Sequence, residues 1–266
     1  MGLRINIEKV NAMIDRRNAR GLIKVLLKSD ESSLRCLAAA GLGDIGNRRA
    51  SGYLIKTLED RDIELRRASA GALGKLKDYR AVKPLINALK DEDTDVRFFA
   101  IGSLGDINDP IAVRPLTEVM ENESEDDALR LKARKMLGNI GSPAVGPLIK
   151  CLQSKDYVTR WYAAVALGEI GDRLAEEPVI NLMKDEIKEV RRGAAGALGN
   201  IGGPGAVDSL IECVRNDRCW IARKLAVEAL GRIRDKRAIE PITEALKDKI
   251  YDVKKAARQA LKNING

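Results

Sequence analysis

Seven arginines, Arg35, Arg66, Arg97, Arg130, Arg160, Arg191 and Arg223, stand 30 to 33 residues apart, and Lys254 holds the eighth place. A guanidinium is a planar fork of donors that grips a phosphate or a carboxylate through two parallel hydrogen bonds. Such a row could be a phosphate rail or a set of internal clamps. Acids precede it in the same segments, as Asp93 and Asp95 do before Arg97 and Glu189 before Arg191. We therefore read the seven arginines as a structural ladder that bridges loop carboxylates or carbonyls. Nucleophilic and metal chemistry find little support. The chain has no histidine, which removes the commonest general base and metal ligand. Its four cysteines, Cys36, Cys151, Cys213 and Cys219, form no CxxC pair, so neither a zinc site nor a disulfide framework is expected. Cys36 alone sits where a partner could reach it, and an isolated thiol with no histidine beside it is ordinarily inert. There is no P-loop, dinucleotide fingerprint or Gly-x-Ser-x-Gly elbow. No catalytic residue, metal or cofactor is assigned.

A period of this length means one unit copied eight times, which is the signature of a solenoid rather than of a globular enzyme core. In the third copy, Tyr79 to Asp109, Val82, Leu85, Ile86 and Leu89 fall at helical spacing, and so do Val96, Ala100, Ser103, Leu104 and Ile107. Lys90 to Asp95 form a polar break between them. Each copy is thus a two-helix hairpin. Twelve residues after each arginine stand Asn47, Asp78, Asp109, Ser142, Asp172, Gly203 and Asp235, all types that cap a helix N-terminus. Pro110, Pro143 and Pro204 follow that cap directly. Pro84, Pro115, Pro147, Pro178 and Pro241 share a second position, which predicts a short turn before the main first helix. Glycine follows the arginine by eight residues in seven copies, and residues three and six after it are almost all small. Both features predict close packing between flat helix faces.

The expected fold is a single all-α domain over residues 1–266. A capping helix within 1–17 precedes repeats at about 18–47, 48–78, 79–109, 110–142, 143–172, 173–203, 204–235 and 236–266. The last copy, with Lys254 for arginine and Lys262 for glycine, departs from the unit as a terminal cap would. No apolar run reaches the length that spans a bilayer, and MGLRINIEKV lacks a signal-peptide core and places Asn6 where a myristoylation signal wants Ser or Thr. With the unpaired cysteines, this makes the cytoplasm the expected compartment and a membrane an unexpected partner.

Strings such as DVRFFAIGSLGDI, EVRRGAAGALGNIG and TRWYAAVALGEIG resemble the HEAT-like repeats named after phycobilisome lyases, over about residues 17 to 266. That resemblance implies a right-handed α-solenoid of antiparallel helix pairs whose second helices line the concave surface. It implies roles that range from scaffolds to bilin lyase subunits. The lack of histidine excludes the di-iron site of the HEAT-like deoxyhypusine hydroxylases.

Positions one, five and nine after the arginine form one stripe of the second helix. It carries seven basic residues, Arg67, Lys75, Lys135, Arg192, Lys224, Arg232 and Lys255, against four acids, Asp44, Asp106, Glu169 and Glu228. A net charge of +8 permits acidic partners, but this mixed stripe is no phosphate rail and places nucleic acid behind protein as the expected partner. Aromatic residues are scarce at 3%, so their places are informative. Phe98 and Phe99 in the third copy and Trp161 and Tyr162 in the fifth occupy equivalent positions, with Leu131, Lys132 and Lys135 between them. With Arg192 they make the candidate protein-binding patch, aromatic and basic as interface anchors are. One member of each aromatic pair is an alternative filler of the core between repeats. In the fourth copy, ENESEDD (Glu121 to Asp127) packs five acids into seven residues, and their repulsion predicts an exposed, mobile loop. The functional expectation is a non-catalytic protein-binding scaffold. A bilin lyase-like role and nucleic-acid binding are the alternatives, and the sequence leaves the oligomeric state open.

Overall fold

A computed structural model describes residues 5–265; the first four residues, read above for targeting signals, and Gly266 lie outside it. Among the described residues all regular structure is helical. The chain is an all-α solenoid and divides into two compact units, residues 1–119 with 124–140, and residues 120–123 with 141–266.

The first unit opens with α1 (Ile7–Asp15), whose N-terminus is capped by the Asn6 side chain accepting from the Lys9 amide. Hairpins follow as α2 (Ala19–Lys28) with α3 (Ser32–Ile45), α4 (Ser51–Thr57) with α5 (Ile63–Leu76), and α6 (Val82–Ala88) with α7 (Thr94–Ile107). Then come α8 (Val113–Glu121), which crosses the boundary between the units, and α9 (Asp127–Ile140). The second unit contains α10 (Val145–Cys151) with α11 (Tyr157–Ile170), α12 (Glu176–Asn181) with α13 (Lys188–Ile201), α14 (Pro204–Asn216) with α15 (Trp220–Ile233), and α16 (Ile239–Ala245) with α17 (Tyr251–Asn265).

Short 3-10 turns precede most first helices, as the proline positions predict. Asn47, Asp78, Asp109, Asp172 and Asp235 each cap such a turn by accepting the amide two residues on. In the fourth copy the cap falls on Gly141 instead of Ser142, which is itself the first residue of the turn. Pro84, Pro115, Pro147, Pro178 and Pro241 all occupy the third position of their helix, where no intrahelical N–H is yet needed. In the seventh copy Ser209 takes that place and α14 runs unbroken from Pro204.

Second helices stack side by side within each unit: α3 on α5 and α5 on α7, then α11 on α13, α13 on α15 and α15 on α17. The glycine eight residues after the arginine permits this. A Cβ on Gly168 would stand 2.5 Å from the Ala197 Cα, and one on Gly231 would stand 2.7 Å from the Ala260 Cβ. Ala38, Ala100, Ala163, Ala194 and Ala226 are fully buried three residues after the arginine, as Ala257 is three residues after Lys254. The polar stand-ins are satisfied: Ser69 Oγ lies 2.7 Å from Thr57 Oγ1, and Ser103 Oγ donates to the Ala70 carbonyl at 2.7 Å. The helix stop lies three residues beyond the glycine. Gly46, Lys77, Asn108, Gly171 and Arg234 adopt there the left-handed turn that ends a helix, and Gly141 and Gly202 have positive φ with an extended ψ that only glycine adopts readily.

Candidate functional site

The arginine row is taken up in the loops. Arg66, Arg160, Arg191 and Arg223 direct Nε and Nη2 as a fork onto Asp91, Asp185, Asp217 and Asp248 of the next copy's loop, at 2.7 to 3.2 Å. Their Nη1 atoms donate to the carbonyl six residues back at 2.8 to 3.0 Å. Each aspartate also accepts the amide two residues ahead, so it binds its own loop and the neighbouring copy together. Arg35 reaches Asp60 at 2.6 Å, and Arg130 is buried in α9. Arg97 reaches Glu125 at 2.9 Å. The acidic ENESEDD segment is therefore only partly solvated: Glu125 supplies the ladder's acid, and Asp126 accepts from the Ala128 amide at the start of α9.

The Arg35 guanidinium holds the Asp60 carboxyl below the usual carboxylate range, and Arg223 does the same for Asp248. At Asp91 and Asp217 burial opposes the charge, and the fork from Arg66 or Arg191 overcomes it, so these carboxyls too are held low. Guanidinium groups engaged on both sides in this way are spent on architecture and present no rail to phosphate.

Three of the four thiols are poor nucleophiles. Burial pushes Cys151 and Cys213 up to about 12 and raises Cys36 as well. No group of three or more His, Cys, Asp or Glu side chains able to hold a metal occurs among the described residues, and no described helix is long and apolar enough to cross a membrane.

The face of the second helices is open, and the candidate patch falls into two parts. In the first unit, Phe98 and Phe99 meet edge to face, with centroids 6.1 Å apart, and the Lys132 Nζ lies 5.0 Å from the Phe98 ring centre. Phe99 is 42% exposed and its ring leans over Gly71 of α5; Lys135 is exposed on α9. In the second unit, Trp161 is half-buried and leans over Gly193 of α13. With Arg192, Glu169, Asn200 and Leu225 it lines a groove of about 330 Å³ floored by Gly193 and Gly196. The Arg192 Nε has no hydrogen-bond partner. Tyr162 stacks 5.3 Å from Trp161 but is only 7% exposed, so it fills the core and presents nothing to a partner. Its position two residues after the arginine turns toward the packed side in α11.

Sequence reasoning overlooked the row one turn nearer the helix start. Three residues before Arg160, Arg191, Arg223 and Lys254 stand Tyr157, Lys188, Trp220 and Tyr251, all exposed. The signal was present, since these positions lie four residues before the stripe already read and share its face.

A family model described as HEAT repeats matches residues 19–85, 82–150, 145–226 and 210–266. The chain belongs to the HEAT-repeat family. Among curated relatives, the uncharacterized phycocyanin operon protein Z of Pseudanabaena tenuis (strain PCC 7409) is 30% identical over 151 residues, covering 53% of this chain and 74% of that protein. Two solved structures show the same HEAT-repeat fold. Kap95, the yeast importin-β, in a complex with Nup1 has a TM-score of 0.67 at 15% identity, covering 95% of this chain and 41% of its own. Escherichia coli YibA has a TM-score of 0.51 at 20% identity, covering 98% and 99%. At these identities the likeness is one of fold alone.

Proposed function

We propose that this HEAT-repeat protein is a non-catalytic protein-binding scaffold of the cytoplasm whose second-helix faces carry the contacts. One observation carries the reading: the scarce aromatic side chains Phe99 and Trp161 stand exposed or half-exposed on those faces over glycine floors, while the arginines are consumed in the loops. Large aromatic groups beside cations are the usual anchors of protein interfaces. Kap95 with Nup1 is an example of a protein of this fold that carries a protein partner. Replacing Trp161 and Phe99 with alanine should reduce recovery of the partners captured from native lysate by about ten-fold at unchanged melting temperature. Unchanged recovery overturns the reading.

The kinship to a phycocyanin operon protein favours a second reading, a pigment-protein handling role. It fails if the source genome encodes no phycobiliprotein.

A further inference from the structure

On the second unit the overlooked row and the row one turn on form a band. At three residues before Arg160, Arg191, Arg223 and Lys254 it carries Tyr157, Lys188, Trp220 and Tyr251, and at one residue after them Trp161, Arg192, Lys224 and Lys255. All eight are exposed or half-exposed, and half are aromatic and half basic. No acid lies in either row. Acids flank the band: Glu189 lies 3.9 Å from Lys188, Glu228 lies 3.6 Å from Lys224 and one turn further along the helix, exposed Asp252 stands one turn before Lys255, and Glu169 lines the groove of Trp161 and Arg192. The corresponding rows of the first unit are different in kind: Ser32, Ile63, Thr94 and Asp127, then Cys36, Arg67, Phe98 and Leu131.

We propose that this band docks an extended, acidic segment of a partner protein. The proposal rests on the protein-binding reading above and names the partner's chemistry at the second unit. Three quantities favour such a ligand. Packed helices lie about 10 Å apart, and a chain in the extended polyproline II conformation advances ~3.1 Å per residue with three residues per turn, so every third side chain returns to the same face. A segment crossing α11, α13, α15 and α17 therefore meets a new helix at every third residue, so acids in that period face Lys188 or Arg192, Lys224 and Lys255 in turn. Rows four residues apart are about 6 Å apart, the width of one extended peptide. A nucleic-acid strand with its bases would spread over the next rows, where Glu169 and Glu228 repel phosphate. Aromatic neighbours of the cations, Trp161, Trp220 and Tyr251, give apolar residues between the acids a surface to cover.

Fluorescence anisotropy of the full chain with a labelled peptide of about twelve residues, Glu at every third position and Pro, Phe and Ser between, tests this. The peptide is expected to bind, more weakly as salt rises. The double variant Arg192→Glu with Lys255→Glu should weaken it at least about ten-fold, whereas Lys56→Glu with Lys83→Glu, the same charge change on exposed first-helix positions, should stay within about two-fold. Should the first double variant melt early, Lys188→Gln with Lys255→Gln replaces it with the same expected loss, since both side chains are exposed. Equal losses from both charge-reversal variants, a Kd above about 1 mM, or tighter binding of oligo(dT) than of the peptide would overturn the proposal. If the peptide fails while partner recovery still depends on Trp161, only the acidic-segment inference falls. If that dependence is also absent, the protein-binding reading falls with it.

Discussion

The two units are built by the same clamps and differ on the faces those clamps leave open. In the first unit two of the open cations are closed on acids of neighbouring copies: Lys75 pairs with Asp44 of the preceding copy at 2.6 Å, and Arg67 pairs with Glu64 and with Asp95 of the next copy. In the second unit Lys255 and Arg192 form no ion pair among the described residues, Arg232 leans 3.4 Å from the Gly196 carbonyl, and aromatic groups stand beside the cations. Positions that pack are held by geometry in both units. Positions that do not pack are free to differ, and there the chemistry separates one unit from the other.

Acid should act on both units alike and most strongly. The ladder carboxyls Asp60, Asp91, Asp217 and Asp248 are held low in the folded chain. The unfolded chain, with aspartates near the ordinary value of about 3.9, then binds more protons in acid. The ladder's stabilisation is therefore present above about pH 4 and lost as pH falls through the folded values. Thermal melts should be nearly level from about pH 5 to 8 and fall steeply below about 4. A chain equally stable at about pH 3 would show that the ladder adds nothing.

Single breaks come next. Arg66→Ala leaves the Asp91 carboxylate largely buried, and Arg191→Ala does the same to Asp217. Each should cost about 3 kcal/mol in urea unfolding, with equal sizes in the two units. A loss confined to one unit would break the claim of a shared architecture.

The smallest effect bears most directly on the difference. Lys75→Ala removes an exposed pair and should cost under about 1 kcal/mol, vanishing at high salt. Lys255→Ala, with no pair to lose, should leave stability within about 0.5 kcal/mol. A larger cost at Lys255 would mean that the second face is also closed on itself.

Much of this was legible in the chain. The ladder, the caps, the proline turns and the glycine contacts all follow from one period, because each is a local rule repeated in register. Two readings needed the coordinates. Glu125 looked like part of a repelling acidic run, and only the path of the enlarged loop brings it within 2.9 Å of Arg97. Tyr162 looked like Trp161's partner on the surface, yet it is 7% exposed while Phe99 at the equivalent position of α7 is 42% exposed, so the packing around each helix and not the position decides which ring is buried.

By itself the sequence determined the unit, its two helices and the short turn that precedes most first helices. These depend on spacing along one chain and on side-chain type. The tertiary structure decided which acid each arginine takes, which aromatic groups are buried, and that the exposed cations and rings of the second unit lie in two adjoining rows. Those outcomes depend on distances between copies about thirty residues apart, which a repeat suggests but only packing sets.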